Sequence, residues 1–279
     1  MIIDSHQHLW TPGRGDHDWM PKGHPVLDRI YAPSDLAPIL KANGVEATVI
    51  VQAAATVNET EYMLGLADGT DFIKGVVGWV DFENAGDLKT LKRLKGHSKF
   101  KGVRPMIQDI PDDDWMLRPD VQWGYAALAD LDLTFDALGF PRHLANFLTL
   151  LKRYPTMRTV IDHCMKPVIR APAQFQFWAD GMSRLAQETS ACVKFSALVT
   201  EANPDWNVET LRRYADHILI QFGPNRILWG SDWPVVRLRC EYEDWLTAAK
   251  TLTSDLSPNA QARIFGGTAA EFYRLDLTP

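Results

Sequence analysis

The sequence predicts an α/β protein that folds as a single (β/α)8 TIM barrel, because eight strand-like runs alternate with amphipathic, helix-like segments along the chain. Its 279 residues fit this fold, which typically needs about 250. The alternative, a doubly wound open sheet, usually carries a glycine-rich phosphate turn after its first strand, and none follows here. Since no low-complexity linker or internal repeat divides the chain, we expect one domain over residues 1–279.

The predicted elements follow from hydrophobic periodicity and from the placement of β-branched and aromatic residues. The strands are predicted at residues 2–6, 47–52, 73–79, 100–104, 133–136, 159–163, 192–196 and 226–230. The helices are predicted at residues 34–43, 59–68, 85–94, 123–130, 141–154, 178–188, 208–222, 241–252 and 269–275. Two connections are unusually long, residues 10–31 and 106–119, and connections of this kind tend to be lids or binding loops.

Composition and charge exclude several classes of protein. Apolar residues make up 46% of the chain and charged residues 23%, as in ordinary globular proteins. A net charge of −6 is the wrong sign for a protein that binds nucleic acid. The three cysteines are widely spaced and predict neither disulfides nor a cysteine zinc site. No signal peptide or long apolar run is present, so we expect a cytoplasmic protein that does not enter membranes.

The first strand carries the most informative group of polar residues. Residues two apart in a strand point to the same side, so Asp4, His6 and His8 share one face. In a parallel barrel, the carboxyl end of each strand opens into the mouth where active sites lie. A pair of histidines at this spacing is a weak signal by itself, because such pairs also occur in purely structural positions.

Two further strand ends carry polar residues of the same kind. The sixth predicted strand ends in Asp162 and His163, and the eighth delivers Asp232 after Gly230. Each has an ordinary structural interpretation, such as a capping histidine or a turn-forming aspartate. Their coincidence at the ends of strands one, six and eight favours a common site, because chance would scatter them among helices and loop tips.

These motifs resemble those of the amidohydrolase superfamily, over nearly the whole chain. The matching stretches read DSHQHLW at residues 4–10, DHCMKP at 162–167, GSDWP at 230–234 and GGTAAEFY at 266–273. Residues 192–202, which read CVKFSALVTEA, are most similar to fuconolactonase-like members. The resemblance implies a distorted, amidohydrolase-type barrel. It also implies the lactonase branch, which includes sugar-lactone hydrolases and 2-pyrone-4,6-dicarboxylate lactonase.

The chain departs from the metal-dependent members of that superfamily. Those enzymes usually place a lysine or glutamate after strand four and a histidine after strand five, where this chain has Arg104 and residues 136–138. A binuclear metal site is therefore not expected. A single zinc on His6, His8, His163 and Asp232 stays possible. Because the lactonase branch includes enzymes that work without a metal, we predict that no cofactor is required.

The catalytic residues predicted on this basis are Asp232, His6, His8 and His163. Asp232 would take a proton from the attacking water, with its pKa raised by apolar neighbours such as Trp233. The three histidines would polarise the lactone carbonyl and stabilise the oxyanion. No covalent intermediate is expected, because the chain lacks a Gly-x-Ser-x-Gly motif.

Substrate contacts are predicted at the rim of the barrel. For Arg104 a contact to the substrate and a structural ion pair are equally good interpretations. Lys194 and Ser196 share a face of the seventh strand, and a buried lysine there would need a partner. A neutral polyhydroxylated lactone fits better than a dicarboxylate, since only one arginine is placed at the rim. The predicted substrate-binding residues are Gln52, Trp79, Arg104, Lys166, Trp10 and Trp233.

The leading functional hypothesis is a carboxylic ester hydrolase that opens a sugar lactone, of L-fucono, L-rhamnono or galactono type, to its aldonic acid. The alternative is a zinc-dependent, non-oxidative decarboxylase of the same superfamily, and a non-catalytic barrel is a third interpretation. The predicted partner is a small-molecule lactone. The sequence leaves open the hydroxyl pattern, the ring size, the oligomeric state and which long connection serves as a lid.

Overall fold

Eight parallel strands in sequential order form the barrel in the computed structural model, which describes residues 1–278. Each strand pairs with the next one along the chain, so the predicted fold and the order of its strands are confirmed. The strands are β1 (Ile2–Gln7), β2 (Val45–Val51), β3 (Ile73–Gly78), β4 (Phe100–Val103), β5 (Thr134–Ala137), β6 (Thr159–Ile161), β7 (Cys192–Phe195) and β8 (Ile227–Trp229).

Helices follow the strands and cover the outside of the barrel. They are α1 (Pro33–Asn43), α2 (Val57–Asp68), α3 (Leu88–Lys95), α4 (Gln122–Asp130), α5 (Leu144–Arg153), α6 (Phe175–Glu188), α7 (Leu198–Glu201), α8 (Val208–Phe222), α9 (Tyr242–Leu252), α10 (Pro258–Ala262) and α11 (Thr268–Phe272). The prediction missed the short helices α7 and α10, which are too brief to show a hydrophobic period. None of the helices in residues 1–278 has the length and apolar character that a membrane span requires.

The barrel closes between its first and last strands through the segment after β8 rather than through a regular ladder. The backbone N–H of Asp232 donates to the carbonyl of His6 at 2.8 Å, and that of His8 donates to the carbonyl of Trp233 at 2.7 Å. Gly230 allows this close approach, because a Cβ at that position would lie 2.8 Å from the Cβ of His6. The closure places the carboxyl end of β1 next to the segment that follows β8.

The predicted sixth strand, residues 159–163, is shorter in the structure and ends at Ile161. Asp162 and His163 lie in the turn that follows, where the chain changes to a left-handed conformation. This difference matters for the site, because strand alternation no longer sets the direction of the His163 side chain.

Candidate active site

A cavity of about 220 Å³ opens at the carboxyl ends of the barrel strands. This is the end at which the active sites of such barrels lie. Its lining combines three of the four predicted catalytic residues with side chains from the two long connections. The lining residues are His8, Trp10, Trp19, Ala53, Arg104, Met106, Gln108, Asp109, Leu138, His163, Lys166, Asp232 and Val235.

Asp232 is the point on which the predicted catalytic histidines converge. Its Oδ1 lies 3.3 Å from Nε2 of His8 and 3.8 Å from Nε2 of both His6 and His163. The four side chains are at most slightly exposed. The structure therefore brings together the residues predicted from the ends of strands one, six and eight.

Left-handed backbone turns position two of these side chains. Asp232 has φ of 58°, and the four residues from His163 to Lys166 have φ between 48° and 57°. Each such conformation costs a non-glycine residue roughly 1–2 kcal/mol, so tertiary contacts must hold the turns in place. Trp178 supplies one of them, since its Nε1 donates to the carbonyl of Cys164 at 2.7 Å.

The pKa of Asp232 lies below its ordinary value, and the predicted rise is therefore wrong. Burial alone would raise the pKa, but the charges and hydrogen bonds of His163, His8 and Lys166 outweigh this effect. Trp233 is buried and does not line the cavity, and its ring centroid lies 4.9 Å from that of Tyr31. Asp232 is thus ionised at neutral pH.

Hydrogen bonds outside the cavity orient the rings of His8 and His163. The carbonyl of Val51 lies 2.7 Å from Nδ1 of His8, and a carbonyl can only accept, so this nitrogen carries a proton. In His163, Nδ1 lies 2.8 Å from Oγ of Ser196. Burial lowers the pKa of His163 to about 3, so the ring is neutral at pH 7. Both rings turn their Nε2 atoms towards Asp232.

His6 is completely buried and does not line the cavity. Its predicted role of polarising a substrate carbonyl does not fit this position, because the ring has no exposed surface. Two cations flank the ring: Nζ of Lys194 lies 2.9 Å from Nδ1, and Nη1 of Arg104 lies 3.3 Å from Nε2. Burial and the charge of Lys194 lower the pKa of His6 well below its ordinary value.

A fully buried ion network supports His6 from the interior of the barrel. Nζ of Lys194 lies 2.6 Å from Oδ2 of Asp136 and 3.0 Å from Oδ1 of Asp162. The hydroxyl of Tyr273 also donates to Oδ2 of Asp136, at 2.7 Å. The sequence predicted that a buried Lys194 would need a partner, and its partners are Asp136 on β5 and Asp162 in the turn after β6. Strand alternation could have found only Asp136, because Asp162 lies beyond the end of its strand.

The structure brings only some of the predicted substrate-binding residues to the cavity. Arg104, Lys166 and Trp10 line it, and Arg104 is both a lining residue and an ion-pair partner of Asp162, at 3.2 Å. Gln52 is buried outside the lining, where its Nε2 donates to the carbonyl of Arg104 at 2.6 Å.

Trp79 and Trp233 are the predicted substrate contacts that the structure places elsewhere. Trp79 lines a separate cavity of about 220 Å³, together with Val80, Phe82 and Trp115. Trp233 is not among the residues that line the central cavity, and it is 1% exposed. A position beside a strand end therefore does not by itself direct a tryptophan ring into the central cavity.

The prediction missed four lining residues that come from the long connections, Trp19, Met106, Gln108 and Asp109. Trp19 reaches the cavity from the first connection and is 47% exposed, with its Nε1 donating to the carbonyl of Ala53 at 2.7 Å. Gln108 and Asp109 come from the second, and Oε1 of Gln108 accepts from Nζ of Lys166 at 2.5 Å. The length of these connections was the only signal available.

The donor atoms of His6, His8 and Asp232 lie within 4.8 Å of one another, close enough to share a metal ion. His8 and Asp232 fit such a role, because Nδ1 of His8 is bonded to Val51 and Nε2 faces the carboxylate. His6 is less suited, since a metal at Nε2 would be a third cation beside Lys194 and Arg104. The donor atoms are thus consistent with a single metal ion, and the two neighbouring cations disfavour His6 as one of its ligands.

A parallel eight-stranded barrel that gathers histidines and an aspartate at the carboxyl ends of its strands defines a barrel enzyme. The amidohydrolase family model matches residues 3–275, and the chain belongs to this family. The predicted membership, in the lactonase branch of the superfamily, is confirmed, and with it the predicted hydrolase class.

Two curated relatives are both described as L-fucono-1,5-lactonase. The relative from Burkholderia ambifaria is 41% identical over 278 residues, which cover 98% of this chain and 96% of the relative. The relative from Burkholderia multivorans is 33% identical over 290 aligned positions, with coverage of 98% and 96%. A crystal structure of an amidohydrolase from Burkholderia multivorans with bound zinc is 33% identical, with a TM-score of 0.93 and coverage of 99% of this chain and 100% of that one.

Proposed function

We propose that this protein hydrolyses a sugar lactone to its aldonic acid, with Asp232 as the general base. The observation that carries the proposal is an ionised, buried carboxylate in the lining of the cavity, whose Oδ1 lies 3.3 Å from Nε2 of His8. The similarity to two lactonases supports the reaction class. An L-fucono-type lactone is the proposed substrate, since both relatives carry that name.

The proposed reaction starts with a water molecule beside Asp232. The carboxylate takes a proton from this water while the water oxygen attacks the lactone carbonyl carbon. The carbonyl π electrons move to its oxygen and give a tetrahedral oxyanion. The ring C–O bond then breaks as the carbonyl re-forms, and the proton held by Asp232 passes to the departing ring oxygen. Atoms balance without a covalent enzyme intermediate, and the product is a hydroxy acid.

The oxyanion needs positive charge or hydrogen-bond donors that are already in place. His163 can supply one, because its Nδ1 can accept from the hydroxyl of Ser196 and its Nε2 then carries the proton. Arg104 and Lys166 add two cations to the lining. His8 stands beside the carboxylate and helps to direct the water. In this assignment Arg104 and Lys166 stabilise the oxyanion, which is the role that the sequence predicted for His6.

The lining favours a small polyhydroxylated ring. Trp10 and Trp19 offer aromatic faces, while Gln108 and Asp109 offer hydrogen-bonding groups on the opposite long connection. Lys166 is already bonded to Gln108, which reduces its availability as a partner for a substrate carboxylate. A neutral sugar lactone therefore fits this cavity better than a dicarboxylate.

A pH-indicator assay over a panel of sugar lactones tests the proposal. The panel holds L-fucono-, L-rhamnono- and D-galactono-lactones in their five- and six-membered forms, and Asp232→Asn is the matched control. Acid release by the wild-type protein that the variant lacks is the expected result. Carbon dioxide release from aromatic acids, abolished by a chelator, would instead support the decarboxylase alternative. Absence of acid release from every lactone would overturn the proposal.

A further inference from the structure

Lys194 presents its ammonium group to three acceptors in the interior of the barrel. Its Nζ lies 2.6 Å from Oδ2 of Asp136, 3.0 Å from Oδ1 of Asp162 and 2.9 Å from Nδ1 of His6. All four residues are completely buried. An ammonium group has three N–H donors and no lone pair. Nζ donates hydrogen bonds to Asp136 and to the His6 ring, and its contact with Asp162 is an ion pair.

This contact decides where the proton of the His6 ring lies. A neutral imidazole has one N–H and one lone pair. Because Lys194 can only donate, the lone pair must be on Nδ1 and the proton on Nε2. His8, two residues along the same strand, differs from His6 because its Nδ1 carries a proton, which faces the carbonyl of Val51 at 2.7 Å.

Arg104 is the competing donor, because its Nη1 lies 3.3 Å from Nε2 of His6. A neutral ring has one lone pair, so it can accept a hydrogen bond from only one of the two cations. Lys194 is closer, at 2.9 Å, whereas Arg104 has other acceptors in the carboxylate of Asp162 and the carbonyl of Gln52. A proton on Nε2 thus keeps the shorter of the two contacts, and Oδ1 of Asp162, at 3.6 Å from Nδ1, is too distant to accept a hydrogen bond from the ring.

We propose that Lys194 is a positioning residue that fixes His6 as its Nε2–H tautomer, so that His6 turns a proton rather than a metal-binding lone pair towards Asp232. Nε2 lies 3.8 Å from Oδ1 of Asp232, where a proton stabilises the negative charge of the carboxylate. A zinc ion would have to displace this proton and approach two cations. The inference concerns the site of the proposed function but does not depend on which substrate the site accepts.

Nitrogen NMR of the wild-type protein at neutral pH tests the tautomer directly. Long-range proton–nitrogen correlation spectra of histidine-labelled protein report which ring nitrogen is protonated, and His6→Gln and His8→Gln variants assign the two signals. We expect a protonated Nε2 and an unprotonated Nδ1 for His6, with Nδ1 protonated in His8 as the internal control. A protonated Nδ1 in His6 overturns the proposal. No substrate is needed, so this result is separate from the outcome of the lactone assay.

Zinc titration tests the consequence for metal binding. Lys194→Met combined with Asp136→Asn removes the ammonium group and one carboxylate together, which keeps the charge of the buried network unchanged. With Lys194 gone, Nδ1 of His6 can take the proton, and we expect the double variant to bind zinc at least about tenfold more tightly than the wild type by calorimetry. Asp136→Asn alone is the control, because it keeps Lys194. Equal or weaker zinc affinity in the folded double variant contradicts the proposal.

Discussion

The backbone N–H of Asp232 donates to the carbonyl of His6 at 2.8 Å, which joins the two ends of the barrel sheet at the proposed general base. The side chain of Asp232 takes no part in this bond. The backbone of Asp232 closes the barrel, whereas its carboxylate is the proposed base. A substitution that changes only the carboxylate therefore leaves the closure of the barrel intact.

Asp232→Asn is expected to abolish the base without unfolding the protein. Loss of a general base typically lowers kcat by about 10²–10⁴-fold, and we expect KM to change little because the amide occupies the same space. Steady-state kinetics on the best lactone measure this effect, with the surface variant Asp113→Asn as a control. A wild-type rate in Asp232→Asn would show that another residue is the base.

The acid limb of the pH profile is expected at low pH. Asp232 acts as a base only when ionised, and its pKa lies below the ordinary value because His163, His8 and Lys166 outweigh the effect of burial. An ordinary aspartate titrates near pH 3.9, so kcat/KM should stay constant from pH 7 to about 5 and fall only below about 4. The pH dependence of kcat/KM, with fluorescence to confirm folding, measures this. An acid limb between pH 5 and 7 would contradict the assignment.

His163 is expected to make folding less favourable as the pH falls. Its pKa is about 3 in the folded protein because of burial, against about 6.5 in an unfolded chain. Between pH 7 and 5 the unfolded state gains a proton that the folded state does not, which costs about 2 kcal/mol of folding stability. In urea unfolding, the free energy of unfolding of His163→Gln should fall by about 2 kcal/mol less than that of the wild type between pH 7 and 5. His97→Gln, in which the altered side chain contacts Asp68 outside the cavity, is the control.

Trp19 and Trp79 are expected to respond differently to substitution, because they line different cavities. Trp19→Ala removes an aromatic face from the central cavity and should raise KM about tenfold, which corresponds to about 1.4 kcal/mol of binding free energy. Trp79→Ala should leave KM unchanged. Initial rates over a range of lactone concentrations decide the point, and a larger effect at Trp79 would move the substrate to the second cavity.

Lys194→Met is expected to destabilise the fold strongly, because Asp136 and Asp162 would lose their shared cation in the interior. Breaking a buried pair by removing one partner typically costs about 3–5 kcal/mol. The double variant with Asp136→Asn should recover part of this loss. Urea unfolding of the two single variants and the double variant measures the coupling, and a purely additive result would show that the two residues do not interact.

Much of the fold was predictable from the sequence, because hydrophobic periodicity is a local property. The predicted helix at residues 208–222 matches α8 at both ends, and all eight strands were found. The sixth strand was predicted too long, because the left-handed turn at His163 to Lys166 is stabilised by partners distant in the chain, such as Trp178 and Ser196.

The sequence by itself determined which strand ends carry polar side chains. It also predicted correctly that Asp232, His8 and His163 lie close together in space. Only the tertiary structure decided the depth of each side chain. It buried His6 completely, in contact with Lys194, and it brought Trp19 rather than Trp79 to the cavity. The physical reason is that alternation fixes the face of a strand on which a residue lies. Depth in the barrel and the path of the long connections depend on packing between distant segments.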